Sequence, residues 1–598
     1  MPRPTPARPR TARGAGARTV GAAAVLALLA GCTWGQPETV PAVSSATFVP
    51  EPAPEPVAAE LTVPDDLVTS LVPDGSGPVA TSAAAVAASR TLFASAPVAV
   101  LTAHGDVTGG LTAASAAVAV GAPVLVVPPD ADAAAAVVAE VERLGATAVL
   151  VVGGAEPAGL PADVAAVAVP AGADPTTLAT ATGVDLTATT DVAPDGAADA
   201  VRALDATAPT VLLAGDGGDG ATASPTTAGP ATPTTAPRAN ATLPATLPPV
   251  GDDGAVLALA GERPVPLAVL ATLRAAGAEI LDLPGGDPRA TTGTVQALAD
   301  ADPAAVLQLT SDLGATRTLT SRVQAAVTGV ELPGGGQLVF PEGDGVPGKR
   351  YVALYGTPGT PSLGVLGEQD VPATLARTRQ HATPFRDLTD DVVVPAVEII
   401  ATVASAGPGD DGDYSQERSV DDLRPLVDAA REDGAYVVLD LQPGRTDFRT
   451  QAQRYAELLA EPHVGLALDP EWRLAPDQVH LRQIGSVSAA EINQTSEWLA
   501  RFTRERDLPQ KMLVLHQFSL RMISDRQDVD TSHDELAVVI HVDGQGTQPA
   551  KRGTWDALRT NAPDVHWGWK NFYDEDEPML DPAQTYQVDP VPDLVTYQ

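Results

Sequence analysis

The chain has 598 residues, 37 basic and 75 acidic side chains and a formal charge of -38; 44% of it is hydrophobic but only 4% aromatic. A surface this acidic repels nucleic acid and anionic headgroups, so no nucleic-acid partner is expected. The single cysteine, Cys32, excludes a disulfide within the chain, and the length provides for two to four domains with sizeable cores.

Residues 1–31 begin with Arg3, Arg8, Arg10, Arg13 and Arg18 and no acidic residue, followed by an apolar run at 20–30. That run is too short to cross ~30 Å of hydrocarbon as a helix, so it reads as a cleaved signal. It leads into Leu29-Ala30-Gly31-Cys32, which resembles the lipobox of bacterial lipoproteins. The resemblance implies that Cys32 becomes the first residue and carries diacylglycerol, so the chain is expected on the extracytoplasmic side of the membrane, anchored through Cys32. The alternative is an ordinary secretory leader that includes a cysteine. Removing its five arginines takes the formal charge from -38 to -43. Residues 32–89, rich in Pro, Ala, Glu and Val without a lasting period, read as a disordered stalk.

From 90 to 345 short apolar runs alternate with alanine-rich helical segments: strands at 98–102, 123–127 and 148–152, helices at 110–120 and 132–144. Strands at 255–260, 279–283 and 305–309 with helices at 266–276 and near 293–301 repeat the order. Such alternation predicts a doubly wound α/β domain with a parallel sheet covered on both faces. The segments at 121–128 ("GAPVLVVP") and 143–154 ("RLGATAVLVVGG") resemble the cell wall-binding repeat type 2 family. Where that family has an aromatic-Asp-Ala-Leu turn, this chain has Asp106-Val107-Thr108-Gly109-Gly110-Leu111. The resemblance implies attachment to a wall polymer; the alternative is a generic α/β domain without wall affinity. Residues 221–249, dominated by Thr, Pro and Ala, read as a disordered insertion. The stretch 343–350 ("GDGVPGKR") nearly matches a phosphate-binding loop. Arg350 stands where Ser or Thr would hold magnesium and Pro347 removes a backbone donor, so no nucleotide is expected.

Beyond 346 eight apolar runs, at 351–355, 393–400, 435–441, 464–468, 479–484, 512–516, 536–542 and 565–569, mostly separated by helical patterns, match the size of a (β/α)8 TIM-type barrel over 346–598. Ser419-x-x-Asp422 and Ser488-x-x-Glu491 mark two helix starts. Barrel chemistry sits where strands end. There the chain has Glu398, Asp440, Asp469 with Glu471, His516 with Gln517, His541 with Asp543, and Lys570; Glu368 falls in the loop after the first run.

Asp469-Pro470-Glu471-Trp472 is the sharpest motif. If the chain is extended, the two carboxylates project to one side, and paired carboxylates supply the acid and the ionised partner of glycoside hydrolysis. The Asp-x-Glu resembles that of family 25 glycoside hydrolases, lysozyme-type barrels that cleave peptidoglycan, and His516-Gln517-Phe518 resembles their aromatic-Gln-aromatic strand. That resemblance implies Glu471 as the acid and Asp469 as its catalytic partner. Asp440, Glu398, His516, Gln517, His541, Asp543 and Lys570 are expected to hold substrate or tune the pair. Trp472, Trp567 and Trp569 are expected to stack on sugar rings. The bland readings are that Glu471 is a loop residue paired with Arg473, and that Trp567 and Trp569 are core. His516, His541 and Asp543 could hold a metal, but without HExxH or similar spacing no metal and no cofactor is expected. The expected function is a membrane-anchored envelope glycosidase acting on wall or extracellular polysaccharide. The alternative is a non-catalytic wall- or carbohydrate-binding lipoprotein with a degenerate barrel.

Overall fold

The computed structural model describes residues 55–598 apart from 74, 156, 194, 216–242, 248 and 250–255. The leader, Cys32 and most of the Thr/Pro insertion lie outside the described residues. Among the described residues no helix is long and apolar enough to cross a membrane.

The alternating strands and helices before residue 346 build two parallel four-stranded sheets of matching order. The first runs Val124–Val127, Val98–Ala103, Ala148–Val152, Ala165–Val169; the second runs Glu279–Asp282, Val256–Ala260, Ala305–Gln308, Val68–Ser70. Ala188–Val192 and Thr210–Ala214 form a further parallel pair. Helix Val107–Val120 lies at the centre of the region, with Gly109 to Val120 all buried, and it packs on helix Leu267–Ala275. Its alanines permit close approach, and its one serine is satisfied twice: Ser115 donates to Leu111 O and accepts from Leu212 N at 2.9 Å. Thr272 of the facing helix likewise accepts from Val124 N. Buried hydroxyls thus stitch helices to strands of neighbouring units, as buried polar groups require.

Two expectations are corrected here. Residues 57–89 belong to the folded region rather than to a stalk: Val68–Ser70 completes the second sheet beside Ala305–Gln308, and Pro78–Leu92 is a helix that buries Ala84, Ala85, Ala88 and Leu92. Alanine and serine bury little area each, which makes the segment look too polar to fold, but they let the helix sit against strand Val124–Val127, where Ser82 Oγ donates to Val126 O at 2.8 Å. The end of the insertion is also ordered, since Thr246–Leu247 pairs with Val57–Ala58 and Leu243 is buried.

The region from 349 onward is a closed barrel of eight parallel strands, here β1 (Lys349–Gly356), β2 (Val392–Ala404), β3 (Tyr436–Leu441), β4 (Val464–Leu468), β5 (Lys511–Gln517), β6 (Leu536–Val542), β7 (His566–Asn571) and β8 (Leu594–Tyr597). Each pairs with the next in sequence, and β8 and β2 both pair with β1 to close the ring. The run at 479–484 is not one of them. There Leu481 is 87% exposed and Ile484 is exposed, because His480, Arg482 and Gln483 interrupt any buried face. The missing strand is β8, only four residues long and crowded by Pro590 and Pro592. The link from β5 to β6 holds only short 3-10 turns and the two-residue strand Ile523–Ser524.

Strand residues alternate between the barrel interior and the helix layer. Tyr351, Ala353, Val394, Ala396, Tyr436, Val438, Ala467, Met512, Val514, Ala537, Val539 and Leu594 form the interior core, plugged at the N-terminal end by Leu332 and Val339. Their neighbours in sequence, such as Val397, Leu439, Leu466 and Leu515, face the helices. Below the barrel, Arg289 and Arg322 of the preceding domain share Asp287 and Asp534 in one ion cluster, which fastens that domain to the β5–β6 link.

Candidate active site

Continuing the inward register by one layer towards the C-terminal ends of the strands replaces aliphatic side chains with Tyr355, Glu398, Asp440, Asp469, His516, His541, Lys570 and Thr596, all buried. Sequence reasoning therefore places Glu398, Asp440, Asp469, His516, His541, Asp543 and Lys570 in one end of one barrel, and the structure brings them together there.

The contacts are specific. The His516 ring reaches Glu398 Oε1 from Nε2 at 2.7 Å and Asp543 Oδ2 from Nδ1 at 3.1 Å. Tyr355 donates its hydroxyl proton to Asp440 Oδ2 at 2.8 Å, and Gln442 donates to the Tyr355 oxygen. His541 lies with Nδ1 3.3 Å from His516 Nδ1 and Nε2 3.1 Å from Thr596 Oγ1. Gly568 on β7 makes room for it: a Cβ there would stand 2.3 Å from the His541 ring. The Lys570 ammonium sits 3.5 Å over the Tyr355 ring. Four buried carboxylate oxygens, on Glu398, Asp440, Asp469 and Asp543, have no hydrogen-bond partner.

Burial opposes charge on every carboxyl here, and the neighbours decide each outcome. Asp440 rises to about 6 through burial, which the nearby His516 only partly offsets. Glu471 is pushed up to about 7 by burial and by the Asp543 carboxylate. Asp469 is driven well above the carboxylate range by burial and by Glu471. Asp543 moves the other way, since the hydrogen bond and charge of His516 outweigh its burial. Burial works against a charge on His516, but Glu398 and the two hydrogen bonds lift its ring well above the usual range. Burial and the His516 charge hold His541 neutral.

Asp469, Glu471 and Asp543 line a cleft of about 470 Å³ at this end of the barrel, together with Trp472, Lys570 and Phe572. The Asp-x-Glu motif is not extended: Pro470–Trp472 form a 3-10 turn directly after β4, pinned by the bond from Gly485 N to Glu471 O at 2.7 Å. The turn leaves Glu471 only partly buried on the cleft wall while Asp469 stays buried at its floor. Arg473 does not pair with Glu471; it turns to Glu491 at 2.9 Å.

Several expected substrate contacts are placed elsewhere. Gln517 has the opposite parity to His516 and faces the helix layer, donating to Ser519 O and accepting from Arg526. Trp567 and Trp569 have the opposite parity to Lys570 and pack against Trp555 of helix Gln548–Arg559 with ring centroids 5.7 and 5.5 Å apart. Trp569 is 1% exposed and its indole N–H donates to Asn571. Glu368 is exposed and paired with Arg377. Trp569→Ala is accordingly expected to cost about 3 to 5 kcal/mol of stability as a core truncation. Thermal denaturation should show that loss, while the affinity of any cleft ligand stays within about twofold for a residue that lines no part of the cleft.

Tyr355, Gln442, Thr596 and Phe518 were not foreseen as site residues. Tyr355 and Thr596 could have been found by stepping the inward register from Tyr351 and Leu594; the others stand on loops that no periodicity reaches.

No protein-family model matches the chain, and no curated protein matches it. Among solved structures, the one titled Cwp6 from Clostridium difficile aligns with a TM-score of 0.30 at 12% identity, covering 62% of this chain. The chain spans 62% of the length of that protein.

Proposed function

We propose that the barrel is a glycoside hydrolase in which Glu471 is the general acid. The observation that carries this reading is the environment of Glu471: a carboxyl on the wall of a cleft, near two other carboxylates, and titrating at about 7. Such a group is about half protonated at neutral pH and able to lose its proton, as a leaving oxygen requires. Asp543, bound through Oδ2 to the His516 ring and with Oδ1 free, is the acceptor best placed to serve beside it. Asp469, buried beneath, is held protonated by burial and by the Glu471 charge. In the reaction the Glu471 proton goes to the glycosidic oxygen as the C–O bond breaks. Either Asp543 bonds to the anomeric carbon and is then displaced by a water that leaves its hydroxyl on that carbon and its other proton on Glu471, or water attacks directly, leaves its hydroxyl on the carbon and gives its other proton to Asp543, from which it returns to Glu471 through solvent.

Trp472, Phe518 and Phe572 line the cleft as aromatic surfaces for a sugar ring, and they support a short carbohydrate subsite. The lipobox-like end of the leader supports a lipid anchor at Cys32 and a site of action on the extracytoplasmic side of the membrane. The segments at 121–128 and 143–154 support attachment to wall polymer, so the substrate is sought among wall and extracellular polysaccharides.

The pH profile tests the assignment of the acid. Below about 7 Glu471 is protonated and above it the proton is lost, so kcat/KM for a soluble wall fragment should hold on the acid side and fall about tenfold per unit above about pH 7. A rate that rises between pH 7 and 9 contradicts Glu471 as acid.

A further inference from the structure

Beneath the cleft lining lies a cluster that the hydrolase reading does not use as chemistry: Glu398, His516 and His541, all fully buried, with Asp440 beside them. We propose that it is a binding site for a divalent first-row transition metal, with Glu398, His516 and His541 as ligands and Asp440 as a fourth. The proposal is independent of whether the barrel cleaves glycans.

The geometry is that of a ligand set. One ligand atom from each of Glu398, His516 and His541 lies within 4.8 Å of the other two. Asp440 Oδ1 is 3.9 Å from His516 Nε2. Donors bound to one ion at ~2.0 to 2.2 Å stand ~3 to 4.3 Å apart, so Glu398, His516 and His541 need to close by about half an ångström at most, with Asp440 moving in as the fourth. The hydrogen bonding also has gaps. Glu398 Oε2 and Asp440 Oδ1 are buried with no partner, and leaving such oxygens unsatisfied is unfavourable. His541 Nδ1 faces only another ring nitrogen, His516 Nδ1, at 3.3 Å.

Without a metal, His516 holds a proton between Glu398 and Asp543. A dication takes the place of that proton on the Nε2 side, binding Nε2 itself, while Nδ1–H keeps its bond to Asp543. A carboxylate that orients a metal-bound imidazole in this way is a recurrent arrangement. Two carboxylates neutralise the dication, and two imidazoles bias the site towards zinc, iron, nickel or copper over magnesium, calcium and manganese, which suit oxygen ligands. Gly568, whose missing Cβ admits the His541 ring, belongs to the same design.

The test uses the full chain, stripped with a chelator, dialysed and titrated with Zn²⁺ by calorimetry. One equivalent is expected to bind with a Kd at or below about 1 μM. His541→Gln should abolish that stoichiometric step and Glu398→Gln should weaken it by more than about tenfold. His104→Gln, at an exposed histidine far from the cluster in sequence and fold, should leave it unchanged. The Co²⁺-loaded unsubstituted chain supplies a readout that needs no variant to fold, since low-symmetry nitrogen and oxygen ligation intensifies its visible bands. Absence of a saturable step, equal binding by His541→Gln and Glu398→Gln, or a Co²⁺ spectrum like that of the aqueous ion each overturn the proposal.

Discussion

Glu471→Gln should lower kcat on a wall polysaccharide by about 10² to 10⁴-fold while leaving the fold intact, the range attributable to losing a positioned general acid. Glutamine keeps the shape of the side chain but has no proton to give. KM should move little, because the lost interaction is one made as the leaving oxygen gains charge rather than in the ground state. Stability should move the other way. The Glu471 pKa is raised in the folded chain to about 7, so the folded state binds more protons than the unfolded one between the ordinary value of 4.5 and about 7. Stability therefore falls as pH rises through that window, and the penalty is fully present above about 7. Glutamine removes the penalty, so the variant should melt higher than wild type at pH 8 and not at pH 4. A variant that is both inactive and destabilised at pH 8 would assign Glu471 a structural role instead.

Removing residues 594–598 should abolish cooperative folding of the barrel. β8 closes the ring, pairing with β1 on one side and β7 on the other, and without it both become open edges. Leu594, Val595 and Tyr597 are all at or below 3% exposed. Burial of a large apolar side chain is worth about 1.5 to 3 kcal/mol, so these three together approach the roughly 5 to 15 kcal/mol that stabilises a whole domain. Thr596, the His541 partner, is lost as well. The shortened chain should keep the melting transition of the N-terminal α/β region and lose that of the barrel in calorimetry. A barrel transition unchanged to within a few degrees would show that β8 is dispensable.

The architecture was legible wherever apolar runs were long and uniform, as at β2, β5 and β6. It was misread where short range misleads. The run at 479–484 has the composition of a strand but a polar residue at every turn of its register. β8 has only four residues after two prolines. Residues 57–89 show why composition alone misjudges a segment: a helix of Ala and Ser looks like linker until something lies close enough for small side chains to touch. In the site, strand-end position found Glu398, Asp440, Asp469, His516, His541, Asp543 and Lys570. Parity, which is equally readable, separates them from Gln517, Trp567 and Trp569 one residue away. The 3-10 turn that parts Asp469 from Glu471 depends on Gly485, fourteen residues later, and no local pattern announces it.

The glycosidase reading is tested most directly by incubating purified bacterial wall with the full chain and measuring reducing ends released, with Glu471→Gln and Asp469→Asn run beside it and wall retention measured in the same tubes. Wild type should release reducing ends, Glu471→Gln should not, and all three should be retained on wall alike. A wild type as silent as Glu471→Gln, yet retained on the wall, would contradict catalysis and leave a barrel that binds polysaccharide without cleaving it.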